Sequence, residues 1–355
     1  MTEPERTTGA QDGERYSRQT LYPPIGAAGQ ARLRAARVLL TGCGGLGAES
    51  ASLLARAGVG ALRIVDRDVV ELTNLQRQAL FDEADVRACV PKAVAAARHL
   101  AAINADVAVE PVVADLHAGN LPALLEGVDL VVDGFDNFEG RFLLNDACVR
   151  AGVPWVYGAC VGGYGVSTLI VPGKTPCFRC IQPEIPPPGS TPTCDTAGIL
   201  GPAAHLIAAL EVAQALRWLV TREAPEPAVL LSADVWDLRF QHVELPARDP
   251  RCPCCGERRF EFLEGGPAPA ETLCGRDSVL VRPSSAARPD FEAIAARLRR
   301  AQAGSGSGEV LANEFVLRLR TAPYELTLFT DGRAIVKGTD DTALARSLVA
   351  RYFGV

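Results

Sequence analysis

The residues best suited to chemistry in this 355-residue chain form a glycine-rich segment, Gly42-Cys43-Gly44-Gly45-Leu46-Gly47. An apolar run, Val38 to Leu40, precedes it, and an alanine-rich helical pattern follows it. A strand, a glycine turn and a helix N-terminus together bind phosphate, because backbone N–H groups and the helix dipole face the anion. Asp66 ends a second apolar run about 20 residues later, where a carboxylate can bind a ribose. These features predict a nucleotide site without choosing the nucleotide.

The polar residues that follow favour ATP over a nicotinamide dinucleotide. Asn74, Arg77 and Lys92 come after the second apolar run, and Asp136-Asn137 follows a later one. Cations and a carboxylate around a phosphate-binding turn suit attack at phosphorus, since such transfer depends on positioning and charge neutralisation. Asp136 is a candidate Mg²⁺ ligand, because this cation prefers oxygen atoms.

The chain contains eleven cysteines, and two pairs of them have the spacing of metal ligands: Cys177 with Cys180, and Cys252 with Cys255. Four thiolates in two Cys-x-x-Cys pairs are typical of tetrahedral structural zinc. Spacing favours Cys252 and Cys255 over Cys254 in the second pair. The pairs are far apart in the sequence, which weakens the signal and leaves a redox pair or coincidental thiols as alternatives. Zinc here would join the segment after Cys180 to the end of its domain.

Composition excludes several classes of function. A net charge of -6 provides no basic field, so nucleic-acid binding is disfavoured. The first dozen residues are polar and lack the apolar core of a signal peptide. The best candidate for a membrane span, His205 to Val220, is interrupted by Glu211, Gln214 and Arg217. We expect a cytoplasmic protein with reduced cysteines that binds neither nucleic acid nor a membrane.

Alternating strand and helix patterns must position these residues, and they predict an α/β fold with a doubly wound, Rossmann-like, mostly parallel sheet. The predicted strands are Val38 to Thr41, Leu62 to Asp66, Val107 to Val113, Leu130 to Asp133, Pro154 to Tyr157, Val229 to Ala233 and Leu238 to Val243. The predicted helices are Leu46 to Ala57, Pro91 to Ile103, Phe138 to Ala151 and Ala203 to Val220.

The same patterns divide the chain into three parts. Residues 1–14 are expected to be disordered, since they are short, polar and rich in Thr, Glu and Gly. Residues 15–256 contain the nucleotide and zinc motifs. Residues 257–355 combine alternating strands with helices over Asp290 to Arg300 and Thr339 to Tyr352, and predict a small α+β domain whose role the sequence does not reveal.

The order of these motifs resembles the ThiF/MoeB adenylyltransferases, the bacterial relatives of ubiquitin-activating enzymes. Besides the glycines and the cysteine pairs, the resemblance rests on Arg15-Tyr16-Ser17-Arg18-Gln19, Asn74-Leu75-Gln76-Arg77-Gln78, Pro91-Lys92 and Thr193-Cys194-Asp195-Thr196-Ala197-Gly198. It implies ATP-dependent adenylylation of the C-terminal glycine of a small ubiquitin-like sulfur carrier ending in Gly-Gly. A ThiS-like carrier is preferred over a MoaD-like one, for thiamine thiazole or molybdopterin synthesis.

The resemblance also assigns residues by position. The implied ATP-binding residues are Gly42, Gly44, Gly45, Gly47, Asp66, Asp68, Thr73, Asn74, Arg77, Lys92, Asp136 and Asn137. Asp136 would bind Mg²⁺, and the implied catalytic residues are Arg18, Arg77, Lys92, Asp136 and Cys194. Arg18 would reach into the site of a partner subunit, which implies a homodimer. The attacking carboxylate is already ionised at neutral pH, so no general base is required.

Three assignments stay open at this point. Asp68 is either a second site carboxylate or a cap at the end of a strand. Cys194 either forms a covalent link with the carrier or is a free loop cysteine. The segment before Lys92 lacks the glycine usual ahead of the Pro-Lys pair, since Cys89 and Val90 stand there.

Two other functions remain as alternatives. An NAD-dependent oxidoreductase would use the glycines and Asp66, but would leave Arg77, Lys92, Asp136 and the cysteine pairs without a role. A catalytically silent partner of an activating heterodimer would not need the intact set of charged residues.

Overall fold

The computed structural model describes residues 14–187, 190–264, 270–273, 277–283, 288–303 and 308–354. The segment expected to be disordered lies outside the described residues, except for Glu14. The chain divides into two compact units, Met1–Gly266 and Pro267–Val355. The first unit therefore extends past the expected boundary at Gly256.

The first unit is built on one eight-stranded sheet with the order β3-β2-β1-β4-β5-β6-β7-β8. Its strands are β1 Arg37–Thr41, β2 Ala61–Asp66, β3 Ala108–Val113, β4 Leu130–Asp133, β5 Trp155–Val161, β6 Tyr164–Ile170, β7 Val229–Asp234 and β8 Arg239–Glu244. The pairs from β3 to β5 are parallel and those from β5 to β8 are antiparallel. The predicted doubly wound, mostly parallel sheet is confirmed.

Helices cover both faces of this sheet. They are α1 Ser17–Thr20, α2 Gly26–Ala35, α3 Gly45–Arg56, α4 Glu83–Ala88, α5 Lys92–Ile103, α6 Leu121–Leu124, α7 Phe138–Ala151, α8 Phe178–Ile181, α9 Cys194–Ala197, α10 Gly201–Thr221 and α11 Glu261–Glu264, with a 3₁₀ turn at Leu72–Asn74. Alternate residues of β1 face opposite layers, as the two-residue period of a strand requires. Val38 and Leu40 pack with α3, α5 and α10, whereas Leu39 packs with α7.

The parallel strands place their carboxyl ends at one edge of the sheet, here called the carboxyl edge. The glycine turn follows β1, Asp66 ends β2 and the Asp136 turn follows β4. Because β6 and β7 reverse direction in turn, the turn between β7 and β8 also lies at this edge. The fold therefore collects segments far apart in the sequence along one line.

The long helix α10 is the one described helix that is long and apolar enough to cross a membrane by length and composition alone. More than half of its most apolar window is buried inside the protein. It packs against α3, β5 and β6. Its apolar composition is thus explained by its position in the core, where Glu211 is also fully buried.

The second unit is an antiparallel sheet with two helices, which agrees with the predicted α+β class. The strand order is β11-β12-β13-β14-β10-β9. The strands are β9 Ala270–Leu273, β10 Ser278–Val281, β11 Glu309–Ala312, β12 Val316–Thr321, β13 Tyr324–Phe329 and β14 Ala334–Lys337, and the helices are α12 Phe291–Ala303 and α13 Thr342–Phe353. Apolar residues of both helices and of alternate strand positions form its core.

Candidate active site

The glycine turn after β1 is a compact structure that excludes side chains at two positions. Gly42 has φ +112°, and a Cβ there would lie 2.5 Å from the carbonyl oxygen of Gly134. A Cβ at Gly47 would collide with the carbonyl oxygen of Gly42. Gly44 and Gly45 occupy the N-cap and first position of α3. Backbone N–H groups at this helix start are thus available to a phosphate, as the sequence predicts.

Asp66 holds this turn from the neighbouring strand. Its Oδ2 accepts a hydrogen bond from the Cys43 N–H at 2.7 Å, and its Oδ1 accepts one from the Asp68 N–H at 2.7 Å. Burial raises the pKa of Asp66, whereas the nearby Lys92 ammonium lowers it. Each carboxylate oxygen retains a further lone pair, so Asp66 can still accept a hydrogen bond from a ribose hydroxyl.

Lys92 begins α5 and pairs with Asp68. Its Nζ lies 3.2 Å from Asp68 Oδ2, and its side chain is almost completely buried. The Lys92 N–H also donates to the carbonyl oxygen of Asp68 at 2.9 Å. Cys89, which stands in the segment without the usual glycine, ends α4 in the left-handed conformation with φ +52°. That conformation favours glycine, and this chain adopts it with a cysteine.

Arg77 lies beside the glycine turn. A Cβ at Gly45 would be 3.7 Å from both Cγ and Cδ of Arg77, so the arginine stem passes over that glycine. One guanidinium nitrogen donates to the carbonyl oxygen of Thr73 at 3.0 Å. The buried Asn74 accepts a hydrogen bond from the Glu71 N–H at 3.0 Å through its side-chain oxygen. The Asn74 side chain thus fixes the turn that positions Arg77 beside the glycine turn.

Asp136 and Asn137 occupy the turn between β4 and α7. Asn137 caps α7, because its Oδ1 accepts from the Gly140 N–H at 2.7 Å. Its Nδ2 donates to Asp136 Oδ1 at 3.0 Å. Asp136 is exposed, which is suitable for a residue that shares a hydrated Mg²⁺ with a substrate's phosphates.

Arg18 lies away from these residues. Its helix α1 is attached to the far end of α3, where Gln19 Nε2 donates to the carbonyl oxygen of Ala57 at 2.8 Å. Helix α3 has 12 residues, so that end is about 18 Å from the glycine turn. The exposed Arg18 therefore lies outside the candidate site of its own chain.

The two cysteine pairs come together. The sulfur atoms of Cys177, Cys180, Cys252 and Cys255 all lie within 4.8 Å of one another, with Cys177–Cys252 at 3.6 Å and Cys180–Cys255 at 3.5 Å. Four ligands about 2.3 Å from a tetrahedral zinc would be about 3.8 Å apart, so the cluster could hold zinc. Cys254 lies outside this group, and its sulfur accepts from Asn145 Nδ2 at 3.1 Å.

The structure also places Cys194 at the carboxyl edge. Cys194 is the first residue of α9, and its Sγ lies 3.5 Å from the carbonyl oxygen of Cys160 in β5. Two backbone hydrogen bonds attach the end of this segment to Gly162, from Gly162 N–H to Gly198 O and from Leu200 N–H to Gly162 O. Cys194 thus lies near the end of β5, at the carboxyl edge of the sheet, where the glycine turn also lies.

Comparison with known proteins decides the family. The ThiF family model matches residues 16–254, which is most of the chain and includes all of the predicted nucleotide-site residues. The chain belongs to the ThiF family. It is a nucleotidyltransferase, as its relatives in this family are.

Named ThiF-family relatives and solved structures support this membership. The chain is 45% identical to the sulfur carrier protein ThiS adenylyltransferase of Bacillus subtilis (strain 168), over 96% of this chain and 99% of that protein. It is 42% identical to the SAMP-activating enzyme E1 of Haloferax volcanii, over 71% of this chain and 92% of that protein. The crystal structure of E. coli MccB with ATP aligns with a TM-score of 0.59 at 27% identity, over 68% of this chain and 74% of MccB.

ThiF-family adenylyltransferases use ATP. Four charged residues that sequence reasoning missed lie close to the predicted ATP-site residues, and three of them, Asp115, Asp133 and Arg141, are buried. Arg141 Nε donates to Asp133 Oδ2 at 2.9 Å beneath the Asp136 turn. Arg67 NH1 lies 3.0 Å from Asp115 Oδ1. Burial alone would lower the pKa of Arg67, but Asp68, Asp115 and Asp136 outweigh burial and raise it. Arg67, Asp115 and Asp133 are charged residues at or near the ends of predicted strands, which was their sequence signal, whereas Arg141 lies inside a predicted helix.

Proposed function

We propose that this protein uses ATP and Mg²⁺ to adenylylate the C-terminal glycine carboxylate of a small ubiquitin-like sulfur carrier, releasing pyrophosphate. The observation that carries the proposal is the convergence of the glycine turn, Asp66, Lys92, Arg77 and Asp136 at one edge of the sheet. The name of the Bacillus relative favours a ThiS-like carrier and a role in thiazole synthesis, carried out in the cytoplasm.

In the proposed reaction a carboxylate oxygen of the carrier attacks the α-phosphorus of ATP. The new bond joins that oxygen to phosphorus, and the bond from the α-phosphorus to pyrophosphate breaks. Lys92 and Arg77 supply positive charge near the glycine turn, where the phosphates are held by backbone N–H groups. Bound Mg²⁺ would add charge neutralisation for the phosphates, with Asp136 as its protein ligand.

The carrier is proposed to dock on the turn and edge strand at β7 and β8. Trp236 is 80% exposed, Leu238 76% and Phe240 64%, although large apolar side chains are usually buried. Strand β8 is one of the two edge strands of the eight-stranded sheet. The turn lies at the carboxyl edge, so a carrier bound there could extend its C-terminal tail toward the glycine turn.

A homodimer is proposed from the position of Arg18. The arginine lies about one helix length from the nucleotide site of its own chain, as described above. Only a second copy of the chain could bring Arg18 to a bound nucleotide. There its guanidinium group would neutralise the negative charge of a phosphate.

The test is carrier-dependent exchange of labelled pyrophosphate into ATP. Purified protein should catalyse exchange with a ThiS-like carrier ending in Gly-Gly and not with the same carrier lacking its final glycine. Absence of exchange with every Gly-Gly carrier offered would overturn the proposal and favour a silent partner. Specific binding of a nicotinamide dinucleotide in place of ATP would favour the oxidoreductase alternative.

Two variants test the assigned residues in the same assay. Asp136→Ala and Arg77→Ala should each reduce the exchange rate by about 100-fold or more, the scale of losing one charge-stabilising group. Arg87→Ala is the matched control, since Arg87 is exposed on α4 and forms a surface ion pair with Glu83, which contributes little to stability. Near wild-type exchange in either site variant would contradict the assignment.

A further inference from the structure

Cys160 and Cys194 form a pair of thiols that the proposed reaction does not use. Both are half-buried, and neither belongs to the four-cysteine cluster. Cys194 Sγ contacts the backbone carbonyl oxygen of Cys160 at 3.5 Å, although 34 residues separate them in the sequence. The chain therefore brings two cysteines together at the carboxyl edge, beside the nucleotide site.

The contact leaves little distance between the two side chains. A carbonyl oxygen lies less than about 2.8 Å from its own Cα, so Cys194 Sγ is within about 6.3 Å of the Cys160 Cα. The Cys160 side chain packs on the small apolar cluster around Ile207, and so does Ile199, which directly follows the α9 segment. Sγ lies about 2.8 Å from the Cα of its own cysteine, so the two Cα atoms are within about 9 Å of each other. A disulfide needs them about 4.4 to 6.8 Å apart, so it requires α9 to move toward the end of β5 by at most a few Å.

We propose that Cys160 and Cys194 form a reversible disulfide that withdraws the Cys194 thiol from reaction. The oxidant is a small disulfide of the glutathione class. Cys194 attacks it and releases one thiol, and Cys160 then attacks the Cys194 sulfur and releases the second. Two thiol hydrogens and two electrons pass to the oxidant, and a dithiol reductant reverses the reaction. The disulfide would prevent Cys194 from reacting with a carrier, and this consequence rests on the proposed function. Formation of the disulfide itself does not.

The order of the two steps follows from the surroundings of Cys160. Burial, together with the nearby Cys194 and the carboxyl group of Glu211, raises the pKa of Cys160 to about 12. A protonated thiol is a poor nucleophile, so Cys160 does not react first. Once Cys194 carries the mixed disulfide, Cys160 is the neighbouring thiol, and proximity drives the second step.

The experiment uses the full-length, zinc-loaded protein, titrated with glutathione disulfide and then treated with iodoacetamide. Oxidised wild type should lose two hydrogens, and digestion with trypsin and a glutamate-specific protease should give one peptide joining Cys160 to Cys194. Glu184 lies between Cys180 and Cys194, so the second protease separates the zinc ligand from the proposed pair. Zinc content should stay constant.

Matched variants distinguish this disulfide from other oxidations. Cys160→Ser should retain one glutathione on Cys194, Cys194→Ser should not be oxidised, and Cys89→Gly should behave as wild type because Cys89 is buried elsewhere. In oxidised wild type, alkylation of Cys194 should slow at least about 100-fold and recover with dithiothreitol. A stable glutathione adduct on wild-type Cys194, or a disulfide made by other cysteines, would overturn the proposal.

A functional measurement separates the two proposals. Oxidised wild type should keep carrier-dependent pyrophosphate exchange, because exchange does not need a thiol. Loss of exchange from both oxidised and reduced protein would count against the proposed adenylylation, while the peptide joining Cys160 to Cys194 would still support the disulfide.

Discussion

The exposed Asp136 depends on a buried pair of charges. Asp133 is fully buried at the end of β4, and it accepts hydrogen bonds from Arg141 Nε at 2.9 Å and from the Phe135 N–H at 2.8 Å. Arg141 also donates to the carbonyl oxygens of Phe135 and Gly158. These bonds fix the turn between β4 and α7. Removing either Asp133 or Arg141 would leave an uncompensated buried charge. The intact pair therefore holds in place the turn that carries Asp136.

Glu211 is a second buried acid, close to this pair. Its Oε2 accepts from Ser50 Oγ at 3.5 Å, and within the described part of the chain its Oε1 has no hydrogen-bond partner. A side chain at Gly158 would collide with the Glu211 carboxyl group. Burial, with the Asp133 charge as a smaller cause, raises the pKa of Glu211 well above its usual value. Glu211 is therefore protonated in the folded protein at pH values where it is ionised in the unfolded chain.

We expect Glu211→Gln to change how stability depends on pH. The folded state of wild type binds a proton more tightly than the unfolded state, so wild type loses stability as pH rises from about 4.5 toward the folded pKa. Glutamine keeps the shape and cannot ionise. Relative to wild type, the variant should therefore gain about 1 kcal/mol or more in unfolding free energy as the pH rises from 5 to 8, because a pKa difference of one unit between the two states corresponds to about 1.4 kcal/mol.

Urea unfolding of both proteins at several pH values measures this difference. Glu49→Gln is a suitable control, because Glu49 lies on α3 next to Ser50 and is only half-buried. A constant difference between Glu211→Gln and wild type across this pH range would show that the two states bind the proton equally.

At the scale of elements, the edge strand β8 and its turn should control carrier binding. We expect the double variant Trp236→Ser/Phe240→Ser to raise the KM for the carrier about tenfold or more. Aromatic side chains that become buried when a partner binds contribute much of the binding free energy of an interface. The KM for ATP should not change, since both residues lie at the β7–β8 end of the sheet, whereas the glycine turn follows β1.

Val243→Ser is the control for this prediction. Val243 is also exposed on β8, but the alternation along a strand points it to the face opposite Phe240. Exchange assays with varied carrier concentration measure the effect. An unchanged carrier KM in the double variant would place the docking surface elsewhere.

The four-cysteine cluster links α8 to the segment that precedes α11 across 75 residues of sequence. A cross-link over a loop of that length contributes on the order of 4 kcal/mol by comparison with a disulfide. We expect a strong chelator, or Cys255→Ser, to remove zinc and lower Tm by several degrees. Cys254→Ser should retain one zinc per chain, because Cys254 lies outside the cluster. Zinc analysis with calorimetry tests both expectations, and full zinc content in Cys255→Ser would refute the ligand set.

At the scale of the whole molecule, Arg18 predicts that sites are shared between two copies. Arg18→Ala and Asp136→Ala should each be nearly inactive alone. When the two are mixed and allowed to exchange subunits, half of the sites in a mixed dimer lose both residues and the other half contain neither substitution. Pyrophosphate exchange should therefore reappear in the mixture.

Two outcomes would contradict this model of the assembly. A monomer by analytical ultracentrifugation would leave Arg18 without a site to complete. Failure of the mixture to regain activity, with subunit exchange shown by mass-tagged chains, would mean that Arg18 acts within its own chain or not at all.

The sequence by itself determined the local parts of this protein. The spacing of Gly42 to Gly47 between an apolar run and a helical pattern specified the phosphate turn, because the chemistry of such a turn lies within a few consecutive residues. Strand and helix periods likewise fixed the class of fold and the ends of elements such as β4 and α7, which agree with the structure. Arg77 and Asp136 were predicted as site residues because both lie in segments that follow predicted strands, after Asp66 and after Asp133.

The tertiary structure alone decided which distant groups meet. Asp68 pairs with Lys92 through the packing of α5 beside β2, a contact that the sequence did not predict. Glu211 interrupts an apolar helix in the sequence, yet only the packing of α10 shows that it is fully buried. The contact of Cys194 with Cys160 arises in the same way. Local sequence encodes the direction in which a side chain points, whereas its partner depends on the order in which strands and helices pack.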